Sequence, residues 1–205
     1  MPEPIDSRIS RRGLLTSAAF VPVSALAGAQ AVNAQKPPAA AALDGPARQT
    51  LQAFVDRLVP ADSSGPGAVE CGAHDYIARA LADFLAPERA TIAKGLSAID
   101  ALAIRTKSMP FHQLNPAERD AVIASMAANQ ATGFEPDSRA VFLRLRQLTI
   151  EGMFSDPFHG GNKAFAGWDL LRYPGPRLAV TPDDQKIKEM PKATRRSAYG
   201  AQYGH

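Results

Sequence analysis

Asn115-Pro116-Ala117-Glu118 opens the stretch whose reading decides the fold. An asparagine acceptor, a proline at the first helical position and an acid at the third together satisfy the otherwise unpaired amides of a helix start. The helix it opens is predicted to run through Val122, Ile123 and Met126 towards Gly133. A further one begins near Asp137 with Val141, Phe142, Leu145, Leu148 and Thr149 on one face. Upstream, Leu51, Phe54, Val55, Leu58 and Val59 recur at helical spacing until Pro60 and Asp62-Ser63-Ser64-Gly65-Pro66-Gly67 supply a stop and a long turn. Tyr76, Ile77, Ala80, Leu81, Phe84 and Leu85 trace a second stripe that Pro87 ends, and Ile92, Leu96, Ile99, Leu102 and Ala103 a third. No alternating strand pattern interrupts them. The reading is an all-α single domain of five or six helices.

The amino terminus carries a different signal. Arg8, Arg11 and Arg12 precede an uncharged, mildly apolar run from Leu14 to about Ala27, the n-region and h-region of an export signal. The run is shorter than the roughly 20 residues a membrane-spanning helix needs, and Pro22 interrupts it. Ser10-Arg11-Arg12-Gly13-Leu14-Leu15 looks like a twin-arginine export motif; the basic end of an ordinary secretory signal is the plainer alternative. Either way the protein leaves the cytoplasm, and export to the periplasm by the twin-arginine route is the expectation. Cleavage is open between small-residue patterns ending at Ala27, Ala31 or Ala34. The chain is accordingly divided into a signal at 1–34, a Pro/Ala linker at 35–44, a helical domain at 45–178 and an extended tail at 179–205.

Roughly 170 residues would remain after cleavage, enough for one domain with its own hydrophobic core. The net charge of +3 is partly located in the signal and in the Lys186 to Arg196 stretch, with no dense basic block, so nucleic acid is not an expected partner. The single cysteine, Cys71, excludes an internal disulfide. It is either a buried apolar residue or half of a bridge to another chain.

Redox cofactors find few ligands in this chain. One cysteine cannot hold an iron-sulfur cluster, no Cys-x-x-Cys-His motif attaches haem, and His74, His112, His159 and His205 lack metal-ligand spacing. No catalytic, cofactor-binding or metal residue is assigned. Ser155, Asp156 and His159 are the residue types of an acyl-transfer triad, but they crowd into one turn without a nucleophile elbow, and Asp156 before Pro157 reads as a cap. Gly160-Gly161-Asn162 reads as a backbone turn requiring positive φ rather than a phosphate loop. The glycine and proline density from Gly152 onward predicts that the last helix runs out there. Trp168 and Tyr173, placed between glycine-bearing loops, are core residues or anchors in a partner's pocket.

Leu148-Thr149-Ile150-Glu151-Gly152-Met153-Phe154-Ser155-Asp156-Pro157, followed by Gly160-Gly161-Asn162, Gly167-Trp168 and Tyr173-Pro174-Gly175, resembles the signature of the gluconate 2-dehydrogenase subunit 3 family. Leu58-Val59-Pro60-Ala61-Asp62, then Pro66-Gly67-Ala68 and Asp75-Tyr76-Ile77, resembles its amino-terminal pattern. The resemblance implies a small helical subunit, itself without cofactor, bound to a large FAD-dependent catalytic subunit of the glucose-methanol-choline type. A multihaem cytochrome c is the expected third member, and contact with the membrane is indirect, through the complex. Phe158, His159, Gly160, Gly161, Asn162, Trp168 and Tyr173 are then the partner-interface candidates, Cys71 a candidate intersubunit disulfide, and the tail a partner-embracing segment. The twin-arginine signal would export the folded catalytic subunit as well. A free-standing periplasmic enzyme using the turn around His159, or a small-ligand-binding helical domain, is the competing reading.

Overall fold

The computed structural model describes residues 43–177, 179, 182, 185, 186 and 192–200. The expected signal, nearly all of the linker and most of the tail lie outside the described residues. Among the described residues six α-helices follow one another: α1 (Gly45–Leu58), α2 (Ala73–Ala82), α3 (Arg89–Lys107), α4 (Pro116–Ala127), α5 (Ser138–Phe154) and α6 (Ala166–Leu171). Single 3-10 turns stand at Ala86–Glu88, Phe111–Gln113, Pro157–His159 and Lys163–Phe165. Among the described residues there is no strand, only two isolated bridges, and no helix is long and apolar enough to cross a membrane.

The helix starts are fixed by side chains. At α4 the Glu118 amide donates to Asn115 Oδ1 at 3.0 Å while the Asn115 amide donates to Glu118 Oε2 at 3.3 Å, the reciprocal pair expected from the sequence. Asp44 and Asp137 cap α1 and α5 by accepting from the Ala47 and Ala140 amides, each at 2.8 Å. The apolar stripes then meet in one core, in which Leu51, Phe54 and Val55 of α1 lie against Ile77 and Leu81 of α2, Leu96 and Ile99 of α3, Met126 of α4 and Leu145 and Leu148 of α5. Phe111 closes one end of that core against Phe54, with ring centroids 6.3 Å apart.

Three helix ends differ from the sequence expectation. α4 stops at Ala127, short of Gly133, because Asn129 turns left-handed at φ 58° and its side-chain oxygen accepts from Ser138 Oγ and the Arg139 amide at the start of α5. α2 stops at Ala82, so the helical period no longer governs Phe84, which is 52% exposed instead of continuing the buried stripe. α5 continues through Gly152 to Phe154, past the glycine expected to end it. Helix propensity is overridden there by packing. A Cβ at Gly152 would stand 2.8 Å from Ala73 Cα, so the missing side chain is what lets α5 lie directly on the start of α2.

Candidate partner-docking site

An α-helix leaves its last carbonyls without intrahelical partners, and the end of α5 is buried. The chain that follows returns to supply them. The Asn162 amide donates to Gly152 O at 2.9 Å, Asn162 Nδ2 to Ser155 O at 2.9 Å and Trp168 Nε1 to Phe154 O at 2.9 Å. Asn162, fully buried, also accepts on Oδ1 from the amides of Gly167 (2.9 Å) and Trp168 (3.3 Å) at the start of α6. One side chain thus ties the end of α5 to the start of α6. Asn162 does this from the left-handed region, at φ 45°, which asparagine tolerates better than most residues.

The glycines of the segment serve the same closure. A Cβ at Gly161 would overlap the Gly152 carbonyl oxygen, and one at Gly167 would overlap that of Met153. The expectation of positive φ holds for Gly160, at 93°, whereas Gly161 is required for close approach of two backbones. Next to them the Lys163 amide donates to Cys71 O at 3.0 Å, and Lys163 Nζ bonds Asp75 Oδ2 at 2.6 Å on α2. Burial works to raise the Asp75 pKa, but the Lys163 hydrogen bond, with the charges of His74, Lys163 and Arg48, outweighs it and holds the carboxyl below the usual range. Tyr76, the next residue of α2, donates to Glu151 Oε2 at 3.2 Å; burial first, then that carboxylate, pushes its pKa up to about 12.

Cys71 is fully buried beneath this closure as a free thiol, its pKa raised chiefly by desolvation and further by Glu70. Of the two readings left open for it, burial is the one observed; a bridge to another chain would first require the core to open. Gly161, Asn162 and Trp168 are likewise buried within their own chain, so the polar groups of Asn162 and the Trp168 indole are already spent internally. Trp168 lies in the short helix α6 and not in a loop, because Asn162 caps that helix from a distance. Gly160 is half-buried under the Arg79 side chain.

Asp156 accepts from the Phe158 amide at 3.0 Å, the cap expected of it, and from the Ala198 amide at 2.7 Å. His159 sits in an aromatic cluster, 6.2 Å from Phe84, 5.1 Å from Phe158 and 5.5 Å from Tyr199 by ring centroid. Asp156 and His159 are thus engaged separately, and Ser155 contributes its carbonyl, which accepts from Asn162. Among the described residues no group of three or more His, Cys, Asp or Glu side chains gathers at metal-binding distance.

The exposed rim of the same structure is apolar. Phe154, Trp168, Leu171, Arg172, Tyr173 and Pro174 line a groove of about 570 Å³, with Leu171 57% and Tyr173 41% exposed. Tyr173 meets Trp168 edge-on at 5.0 Å, and its amide donates to Trp168 O at 2.8 Å, so the rim is carried by the buried closure. The closure residues Asn162 and Gly167 were not separable from interface residues by sequence, because their partners lie five to ten positions away with no repeating pattern.

The family description gluconate 2-dehydrogenase subunit 3 matches residues 46–175, which take in all six helices except the first residue of α1, together with the whole closure. The chain belongs to the gluconate 2-dehydrogenase subunit 3 family. A subunit 3 chain is by name one component of an oxidoreductase complex, and its helical fold is as the sequence resemblance implied. No curated protein and no solved structure matches the chain significantly. Within this subunit 3, the matched span ends at Gly175, directly after the groove, and all the groove's lining residues fall inside it.

Proposed function

We propose that this chain is the non-catalytic small subunit of an exported FAD-dependent gluconate or sugar dehydrogenase complex, and that it docks the large flavin-binding subunit with the rim of the α5–α6 closure. The observation that carries the reading is the division of labour within the family signature. Its polar and glycine residues are consumed in closing the end of α5, while Leu171 and Tyr173 stand exposed on a groove that a partner's apolar side chains can fill. FAD and haem c belong to the partner subunits, the haems to a multihaem cytochrome c that passes electrons towards the membrane. This subunit contributes stability, assembly and, through Arg11 and Arg12, export of the folded flavoprotein.

Two reciprocal experiments test the docking and export halves. A tagged chain co-produced with the flavin subunit should retain it, and Leu171→Asp combined with Tyr173→Ala should weaken retention about tenfold or more, the effect of losing an interface anchor. Retention unchanged in a variant of unaltered helical circular dichroism would remove the docking surface. Arg11→Lys with Arg12→Lys should leave dehydrogenase activity in the cytoplasm; normal periplasmic activity would remove the export role.

A further inference from the structure

Residues 192–200 of the tail return to the segment that follows α5. Thr194 donates from both its amide (2.9 Å) and its hydroxyl (3.2 Å) to Pro174 O, and Arg195 Nη2 bonds Asp169 Oδ2 at 2.7 Å. The Ala198 amide reaches Asp156 Oδ2 at 2.7 Å. Tyr199 then stacks on Phe158, with centroids 4.3 Å apart and planes 19° from parallel, and meets His159 edge-on. A bridge between Ser197 and Gly200 closes the turn that presents the tyrosine. The tail thus covers two of the residues expected to face a partner.

The cover is built differently from what lies beneath it. Of residues 192–200 only Ser197 is buried, and the Arg195–Asp169 pair is 62% and 39% exposed, a kind of contact that adds little stability. Lifting these residues opens no part of the hydrophobic core. It leaves the Pro157–His159 turn intact, because Asp156 holds the Phe158 amide through its other oxygen. What it frees is the ring face of Phe158 on which Tyr199 stacks, next to His159 and the already exposed Phe84.

We propose that residues 194–200 form a releasable strap, seated on Phe158 and His159 in the free subunit and lifted from them when the flavin-binding subunit docks on that face. The inference rests on the docking reading above and adds an order of events to it. One face of a ring accepts one neighbour, so Tyr199 and a partner side chain compete for Phe158. In the free subunit the strap shields an aromatic patch that would otherwise invite self-association. Because only the open form is competent, apparent affinity is reduced by the fraction of chains that are open.

The test fixes the strap reversibly. In Asp169→Cys with Arg195→Cys, which replaces an exposed ion pair and keeps Phe158, His159 and Tyr199, a short thiol cross-linker with a reducible spacer joins the two positions, and the fully buried Cys71 is shielded from the reagent. The linked subunit should bind the purified flavin subunit about tenfold or more weakly than the same variant unlinked, the loss expected of an anchor held closed, and reduction should restore binding. Equal binding by linked and unlinked forms overturns the strap. Ala198→Pro removes the amide that Asp156 holds and leaves both rings in place. It should associate severalfold faster, as a larger open fraction requires, and an unchanged or slower rate also overturns the strap. If the wild-type chain itself fails to bind the flavin subunit, the docking reading falls and the strap's role falls with it.

Discussion

Gly161→Ala should destabilise the subunit by about 3 kcal/mol or more, in the range reserved for buried steric conflict. The added methyl would overlap the Gly152 carbonyl oxygen, which belongs to the helix backbone and cannot swing aside as a flexible side chain can. Relief requires either unwinding the last turn of α5 or lifting the closure off it, and lifting costs the bonds that satisfy that helix end. Thermal unfolding followed by circular dichroism should show a midpoint lowered by about 10 °C, at roughly 2–4 °C per kcal/mol for a domain of this size. Gly45→Ala is the control: nothing lies within 4 Å of its added methyl, and its midpoint should shift by only a degree or two. Equal behaviour of the two variants would show that the closure does not constrain the fold.

Asn162→Ala should cost about 4 kcal/mol. The substitution deletes one donor and one acceptor at a fully buried position, leaving Ser155 O and the amides of Gly167 and Trp168 without the partners they now have. It also places alanine at φ 45°, where asparagine was tolerated. The chain's single tryptophan provides a local readout. Trp168 is buried with its indole N–H bonded to Phe154 O, so loosening of α6 should shift its fluorescence to longer wavelength before the helical signal falls. Asn162→Asp keeps the acceptor but turns a donor away from Ser155 O and buries a charge, and should rescue little. Retention of native stability and emission in Asn162→Ala would contradict the role assigned to it.

These two residues also mark the limit of what the sequence discloses. The helices are legible because their determinants are local: Asn115 and Glu118 are three positions apart, and the stripe from Leu51 to Leu58 repeats within one element. The closure is assembled from groups that no short period connects. Gly152 reads as a helix stop by propensity, yet it lies inside α5 because α2 occupies the space a side chain would need. Phe84 reads as a core residue by period, yet the helix ends two residues before it. Likewise Gly160-Gly161-Asn162 announces a turn, but only the fold shows that its middle glycine serves contact and its asparagine serves hydrogen bonding. Family resemblance singled out the segment as a whole; it could not divide it into a buried half and an exposed half.

In the proposed function that division has a meaning: the polar side chains of the segment hold a helix end, and chemistry is left to the partner. His159 is the residue that a catalytic reading would need most, and its ring is packed among Phe84, Phe158 and Tyr199. The most direct test is therefore where turnover resides. The purified mature chain, the flavin-binding subunit and the two together should be compared for reduction of an electron-accepting dye with gluconate or a sugar as donor. The account predicts no turnover and no flavin absorption from the chain alone, and activity that follows the flavin subunit and is stabilised by this chain. Dye reduction by the isolated chain, abolished in His159→Ala, would contradict it.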